Sequence, residues 1–188
     1  MKPRALLVLV LVLLPLRGAY AFGLDELMQS LAARGDASAT FVEEQHLRAL
    51  DRPLRSRGEL RYEAPGTLIR RTIEPREETL RYENGVLSTQ RGSRRVTLDV
   101  QRHPQALPFV ESLRATLAGD REALERLFET SLTGARDHWS LRLVPREAAA
   151  KRMVREIRVE GREDEVTGFV LERDNGDRTV ATMTPTPR

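Results

Sequence analysis

Thr79-Leu80-Arg81-Tyr82-Glu83-Asn84-Gly85 sets apolar and polar residues in alternation and then stops on Asn-Gly. Successive side chains of a strand point to opposite faces, so Leu80 and Tyr82 share one face and Thr79, Arg81 and Glu83 the other. This is the pattern of an antiparallel sheet with one packed and one wet side. Asn-Gly tolerates positive φ at both central positions of a type I′ turn, so the chain is expected to reverse there into a hairpin.

The same alternation recurs on either side. Leu60 and Tyr62 alternate with Glu59 and Arg61, and Val96, Leu98 and Val100 with Arg95, Thr97 and Asp99. It returns at Trp139, Leu141 and Leu143, at Met153, Ile157 and Val159, at Phe169 and Leu171, and more weakly at Thr179, Ala181 and Met183, with a second two-residue turn signal at Asn175-Gly176. The pattern predicts about nine to eleven strands.

Two segments keep a helical period instead. Leu24, Leu27, Met28 and Leu31 are spaced for one face of a helix ending near Gly35. Leu107, Val110, Leu113 and Leu117 mark a second helix that starts near Pro104 and Pro108 and closes at Gly119, after which Asp120 can cap a short third helix presenting Leu124, Leu127 and Phe128. Helix, strands, helices, strands is an α+β order with the helices gathered on one face of the sheet. A twisted sheet of so many strands curls, and helices over its concave side enclose an apolar space. Periodicity by itself favours a space filled by these same side chains, since apolar stripes are usually core.

Residues 1–21 read as an export signal. Lys2 and Arg4 precede an unbroken apolar run, Ala5 to Leu16, and Gly18-Ala19-Tyr20-Ala21 ends in a small-x-small cleavage pattern. The run is well short of the roughly 20 residues of a membrane-spanning helix. Cleavage after Ala21 leaves residues 22–188 as one domain, expected to be soluble in the periplasm. Of the 31 Lys and Arg in the chain, three lie in the first 21 residues with none of the 28 Asp and Glu, so the remainder carries 28 of each sign. A neutral domain lacks the basic excess that nucleic acid binding requires. With no cysteine in the sequence, disulfides, thiolate nucleophiles, Cys-ligated zinc and a lipidated N-terminal cysteine are excluded.

Catalytic machinery is hard to assemble from these residues. His46, His103 and His138 stand apart, and no phosphate-binding loop, dinucleotide fingerprint or nucleophile elbow occurs. The acidic pairs Glu43-Glu44, Glu77-Glu78 and Asp164-Glu165 each have an arginine nearby, which suits a solvated ionic face better than acid/base work. The expectation is a protein that is not an enzyme, with no cofactor and no metal.

Phe41 and Gln45, Gly58-x-Leu60, Pro65, Pro75 ahead of Glu78 and Leu80, and the Asn84-Gly85 turn resemble the opening of the LolA family of periplasmic lipoprotein and lipid carriers. The Leu107–Leu117 helix, Trp139-x-Leu141-x-Leu143-x-Pro145 and Asp174-Asn175-Gly176-Asp177-x-Thr179 fall where that family has comparable elements. The resemblance implies an incomplete β-barrel whose open side is closed by helices around a cavity for acyl chains. It also implies a monomeric shuttle that carries an acyl-bearing lipoprotein, lipid or glycolipid from an inner-membrane donor to an outer-membrane acceptor, with only transient membrane-protein contacts. On that reading Phe41, Leu60, Tyr62, Leu80, Val96, Leu98, Trp139 and Leu141 line the cavity, Leu107, Val110, Leu113 and Leu117 form its lid, and Glu59, Arg61, Arg81 and Thr97 lie outside.

Two departures from the family stand out. Family carriers tend to have a basic lid latch before the first proline, where this chain has Ala64, so the lid is expected to be loosely held. They also tend to have large aromatics where it has Arg61 and Arg70, which makes these two the candidate contacts for an anionic head group. The same curled sheet would serve a periplasmic sensing or binding module that grips a partner protein without carrying lipid, or a hydrolase with an unfamiliar site.

Overall fold

The computed structural model describes residues 22–102 and 107–187. The signal segment 1–21, Pro104 and His103 lie outside the described residues. Helix α1 (Leu24–Arg34) is followed by strands β1 (Ala37–His46), β2 (Leu54–Glu63), β3 (Thr67–Glu74), β4 (Glu78–Glu83), β5 (Val86–Arg91) and β6 (Arg94–Asp99). Helices α2 (Leu107–Ala118) and α3 (Arg121–Leu127) lead into β7 (Phe128–Ala135) and β8 (His138–Pro145), the short α4 (Ala148–Lys151), and β9 (Val154–Arg162), β10 (Glu165–Arg173) and β11 (Arg178–Pro185).

All eleven strands form one sheet in the order β6-β5-β4-β3-β2-β1-β11-β10-β9-β8-β7. Every pairing is antiparallel, and β1 joins the last strand, Phe41 opposite Met183. The sheet is curled and does not close, so β6 and β7 are free edges. The α+β class, the curl and the strand number all match the reading of the sequence.

The expected turn at Asn84-Gly85 is present, with φ of 49° and 79°. At Asn175-Gly176 only the glycine has positive φ, at 87°, and the strands end at Arg173 and resume at Arg178. This connection is therefore longer than the two-residue hairpin the dipeptide suggested. Asp177 lies within this connection, where its carbonyl accepts from the Arg173 N–H at 2.9 Å and its side chain accepts from the Arg48 N–H at 2.9 Å across the sheet end.

Three helices pack on the concave side. Leu27, Met28 and Leu31 bury one face of α1, as their spacing requires. Gly119 closes α2 with φ 62°, and a Cβ there would lie 2.1 Å from the Met28 carbonyl oxygen, so a glycine is needed both for the turn and for the close approach of α1 and α2. Asp120 caps α3 by accepting from the Ala123 N–H at 3.0 Å. Phe128, read as part of that helix, is instead the first residue of β7. On the convex face Glu156 of β9 pairs with Arg142 across on β8 and with Arg158 on its own strand, both at 2.7 Å; ion pairs near the surface add little stability and keep that face wet.

Candidate functional site

Register determines which side chains meet on the concave face. Leu60, Arg70 and Leu80 are successive partners across β2, β3 and β4, so all three project to one side of the sheet. From β1 and β11 come Phe41, Ala181 and Met183, from β10 Phe169 and Leu171, and from α2 Val110 and Leu113. Together they border a cavity of about 370 Å³ between the sheet and α2. Its wall is mostly apolar. Besides Arg70, its polar members are Glu43, Gln45, Arg173 and Thr179, which stand at the end of the sheet where β1 and β10 finish and β11 begins.

Arg70 projects into this wall from between Leu60 and Leu80. Its guanidinium lies 4.5 Å from the centroid of the Phe41 ring, a cation–π contact, and donates to Glu43 Oε1 at 3.0 Å and to the Ser56 hydroxyl at 3.4 Å. Gln45 also donates to that oxygen of Glu43, at 2.9 Å. An arginine on an apolar face is thus partnered by one carboxylate, one hydroxyl and one ring, and it borders the cavity.

Of the residues expected at the cavity, Phe41, Leu60, Leu80, Val110, Leu113 and Arg70 border it. Tyr62 and Leu117 are buried beside a crevice of about 30 Å³ instead, and the Tyr62 hydroxyl donates to the Pro65 carbonyl at 2.9 Å. The side chain of Leu107 lies outside the described residues. Trp139 and Leu141 do not border it: both are fully buried, 0 % exposed, in the core with Phe128, Leu27 and Leu31. Leu98 is half-buried and pairs with Leu87, away from the cavity. Val96 has the inward register but sits on the free edge strand and is 49 % exposed. Arg61 is placed on the convex face beside Glu63, at 3.8 Å, so it does not face the cavity. Sequence reasoning missed Leu68, Phe169, Leu171, Ala181 and Met183 as members of the wall; their alternation marks strands, but nothing local tells that β11 returns to β1.

Helix α2 is fastened where a loose lid was expected. Tyr82 Oη donates to Glu111 Oε1 at 2.6 Å, and Arg114 donates to Glu111 Oε2 at 2.8 Å and to Asp120 Oδ2 at 2.9 Å. Arg114 also packs on Gly66, whose Cβ position is 3.7 Å from a guanidinium nitrogen, next to Ala64. A basic group from the helix therefore reaches the turn that lacks one. The signal in the sequence was Glu111 itself, an acidic residue between Val110 and Ser112 on a helix with a largely apolar face.

Burial, then the hydrogen bond to Glu111 and its charge, push the Tyr82 phenol well above its ordinary value, against a smaller opposing effect of Arg114. A phenol that holds its proton more tightly when folded stabilises the protein fully below about pH 10, the unfolded value, and loses that contribution as pH rises above it. Denaturation midpoints should fall as pH is raised above about 10, and less steeply in Tyr82→Phe. Equal slopes would show that the Tyr82–Glu111 contact does not hold the helix.

Among the described residues no group of three or more His, Asp or Glu could hold a metal ion, and no helix is long and apolar enough to cross a membrane. His46 and His138 are exposed at strand ends.

Residues 17–183 match the family model described as outer membrane lipoprotein carrier protein LolA-like. No curated protein matches the sequence. Among solved structures, the chain is similar to a LolA superfamily protein from Nitrosomonas europaea, with 10% identity, a TM-score of 0.48 and coverage of 89% of this chain and 94% of that one. It is also similar to an outer membrane lipoprotein-sorting protein domain from Vibrio parahaemolyticus, with 11% identity, TM-score 0.46 and coverage of 85% and 89%. A chain of the MucA/MucB complex of Pseudomonas aeruginosa has 14% identity, TM-score 0.43 and coverage of 88% and 58%.

Proposed function

This chain belongs to the LolA-like family of outer membrane lipoprotein carrier proteins, and we propose that it is a periplasmic carrier that holds acyl chains of its cargo in the cavity between the sheet and α2. The observation that carries the reading is the apolar wall of that cavity, about 370 Å³ in volume, on a face whose other half buries Trp139, Leu141 and Phe128 fully. Each methylene exposed to water is unfavourable by about 0.8 kcal/mol, so a chain crossing an aqueous compartment needs such a shelter. The carrier is loaded by an inner-membrane donor and unloaded by an outer-membrane acceptor, and its part is binding and release without a catalytic step.

Protein purified from the periplasm should yield an acyl-bearing molecule in its organic extract by mass spectrometry, and the purified domain should bind a fluorescent fatty acid that added cargo displaces. A tightly copurifying protein with no acyl ligand would overturn the carrier in favour of a sensing or binding module. The export reading has its own check: N-terminal sequencing of the periplasmic fraction should begin at Phe22. A chain still beginning at Met1 and sedimenting with inner membranes would contradict both export and carriage.

A further inference from the structure

We propose that the cavity is built for one acyl chain ending in an acidic head group, which Arg70 receives in exchange for Glu43. This rests on the carrier reading and narrows it to a single-chain anionic amphiphile.

Capacity is the first argument. A cavity of about 150 Å³ takes a benzene ring, six carbons, so by that scale 370 Å³ takes roughly fifteen. That is one long alkyl chain; two or three chains of a diacyl or triacyl lipid exceed it. The cavity cannot lengthen under the other helices, because Trp139, Phe128 and Leu141 there are 0 % exposed, and α2 is tied to the sheet by the Tyr82–Glu111 hydrogen bond.

Polarity is the second. The wall is apolar along Leu60, Leu80, Val110 and Leu113 and has Glu43 and Arg173 at its polar end, and the Arg70 guanidinium reaches from between Leu60 and Leu80 to Glu43, an arrangement that orients a molecule with one oily and one charged end. The Arg70–Glu43 pair is partly shielded, with side chains 28 % and 12 % exposed. A guanidinium holds carboxylates and phosphates through paired N–H donors, and an incoming carboxylate offers Arg70 what Glu43 offers now. Glu43 is then a competitor for the head group, and Arg173 adds a second positive charge beside the exchange.

Displacement of a fluorescent alkyl probe, with native mass spectrometry for stoichiometry, compares three ligands below their aggregation concentrations: hexadecanoic acid, hexadecanol and dipalmitoyl phosphatidylglycerol. The acid is expected to bind one per protein and at least roughly tenfold more tightly than the alcohol, the size of one charge-assisted hydrogen bond, with the diacyl lipid failing to compete. Arg70→Gln should bring the ratio of acid to alcohol affinity close to one. Glu43→Gln should raise it, and this variant decides the matter if Arg70→Gln does not fold. Equal affinities for acid and alcohol, two chains per protein, or competition by the diacyl lipid would overturn this inference and leave a carrier of another cargo. No binding of any of the three would overturn the carrier itself.

Discussion

Gly161→Ala should lower the unfolding midpoint by roughly 6–12 °C, the shift expected of about 3 kcal/mol in a domain of this size. A Cβ at 161 would lie 2.2 Å from the Glu165 carbonyl oxygen and 2.2 Å from Cζ2 of Trp139, its partner across β8 and β9. Backbone on one side and an indole on the other leave no room. The ring cannot turn away, since it is fully buried and its Nε1 donates to the Glu163 carbonyl at 3.1 Å. Overpacking at a site with rigid neighbours typically costs 1–3 kcal/mol and sometimes more, out of a total stability on the order of 5–15 kcal/mol. Trp139 is the sole tryptophan and so reports its own displacement: the variant's emission should shift to the red while unfolding stays cooperative. A midpoint within about 2 °C of wild type, with unchanged emission, would mean that the indole does not pack on Gly161.

Trp139 also shows where reading from sequence stops. Alternation places it, with Leu141, on the inward face, and the register agrees, but alternation says nothing of what lies over that face. The helical residues Leu27 and Leu31 are fully buried in the same core, which turns candidate cavity wall into filled core. Leu60 and Leu80 carry the same signal and border open space, because the helix over them is α2, which leaves a gap above β2, β3 and β4. The Asn84-Gly85 turn was legible because both φ values are set locally. Asn175-Gly176 was misread because the loop closes one residue wider, with the Arg173 N–H donating to the Asp177 carbonyl and the Asp177 N–H to the Asn175 side chain, which the dipeptide alone does not distinguish from a two-residue turn. Phe169, Leu171, Ala181 and Met183 were legible as strand residues and illegible as partners of Phe41, since the β1–β11 pairing joins the two ends of the fold. Local chemistry thus gave the elements and their faces, while the contents of the concave side depend on contacts that no short window contains.

Leu113→Glu is expected to weaken binding of a fluorescent fatty acid by on the order of 100-fold while the domain still unfolds in one cooperative step. Leu113 is 8 % exposed and borders the cavity from α2, so an introduced carboxylate would stand where the alkyl chain lies. In the apo protein water can follow that carboxylate into the cavity, which limits the damage to the fold. In the complex, packing a chain against it strips the carboxylate of that water at a cost of several kcal/mol, and every 1.4 kcal/mol is a factor of ten in affinity. Leu124→Ala provides the contrast. Leu124 is 0 % exposed and packed in the filled core, so its truncation should destabilise by about 2–5 kcal/mol and leave the folded fraction binding as before. The opposite outcome has a definite meaning: if Leu113→Glu unfolds the domain as Leu124→Ala destabilises it, and the wild type takes up no acyl probe, then α2 is ordinary core. The concave side would then be a packed interior and the carrier reading would have to be withdrawn.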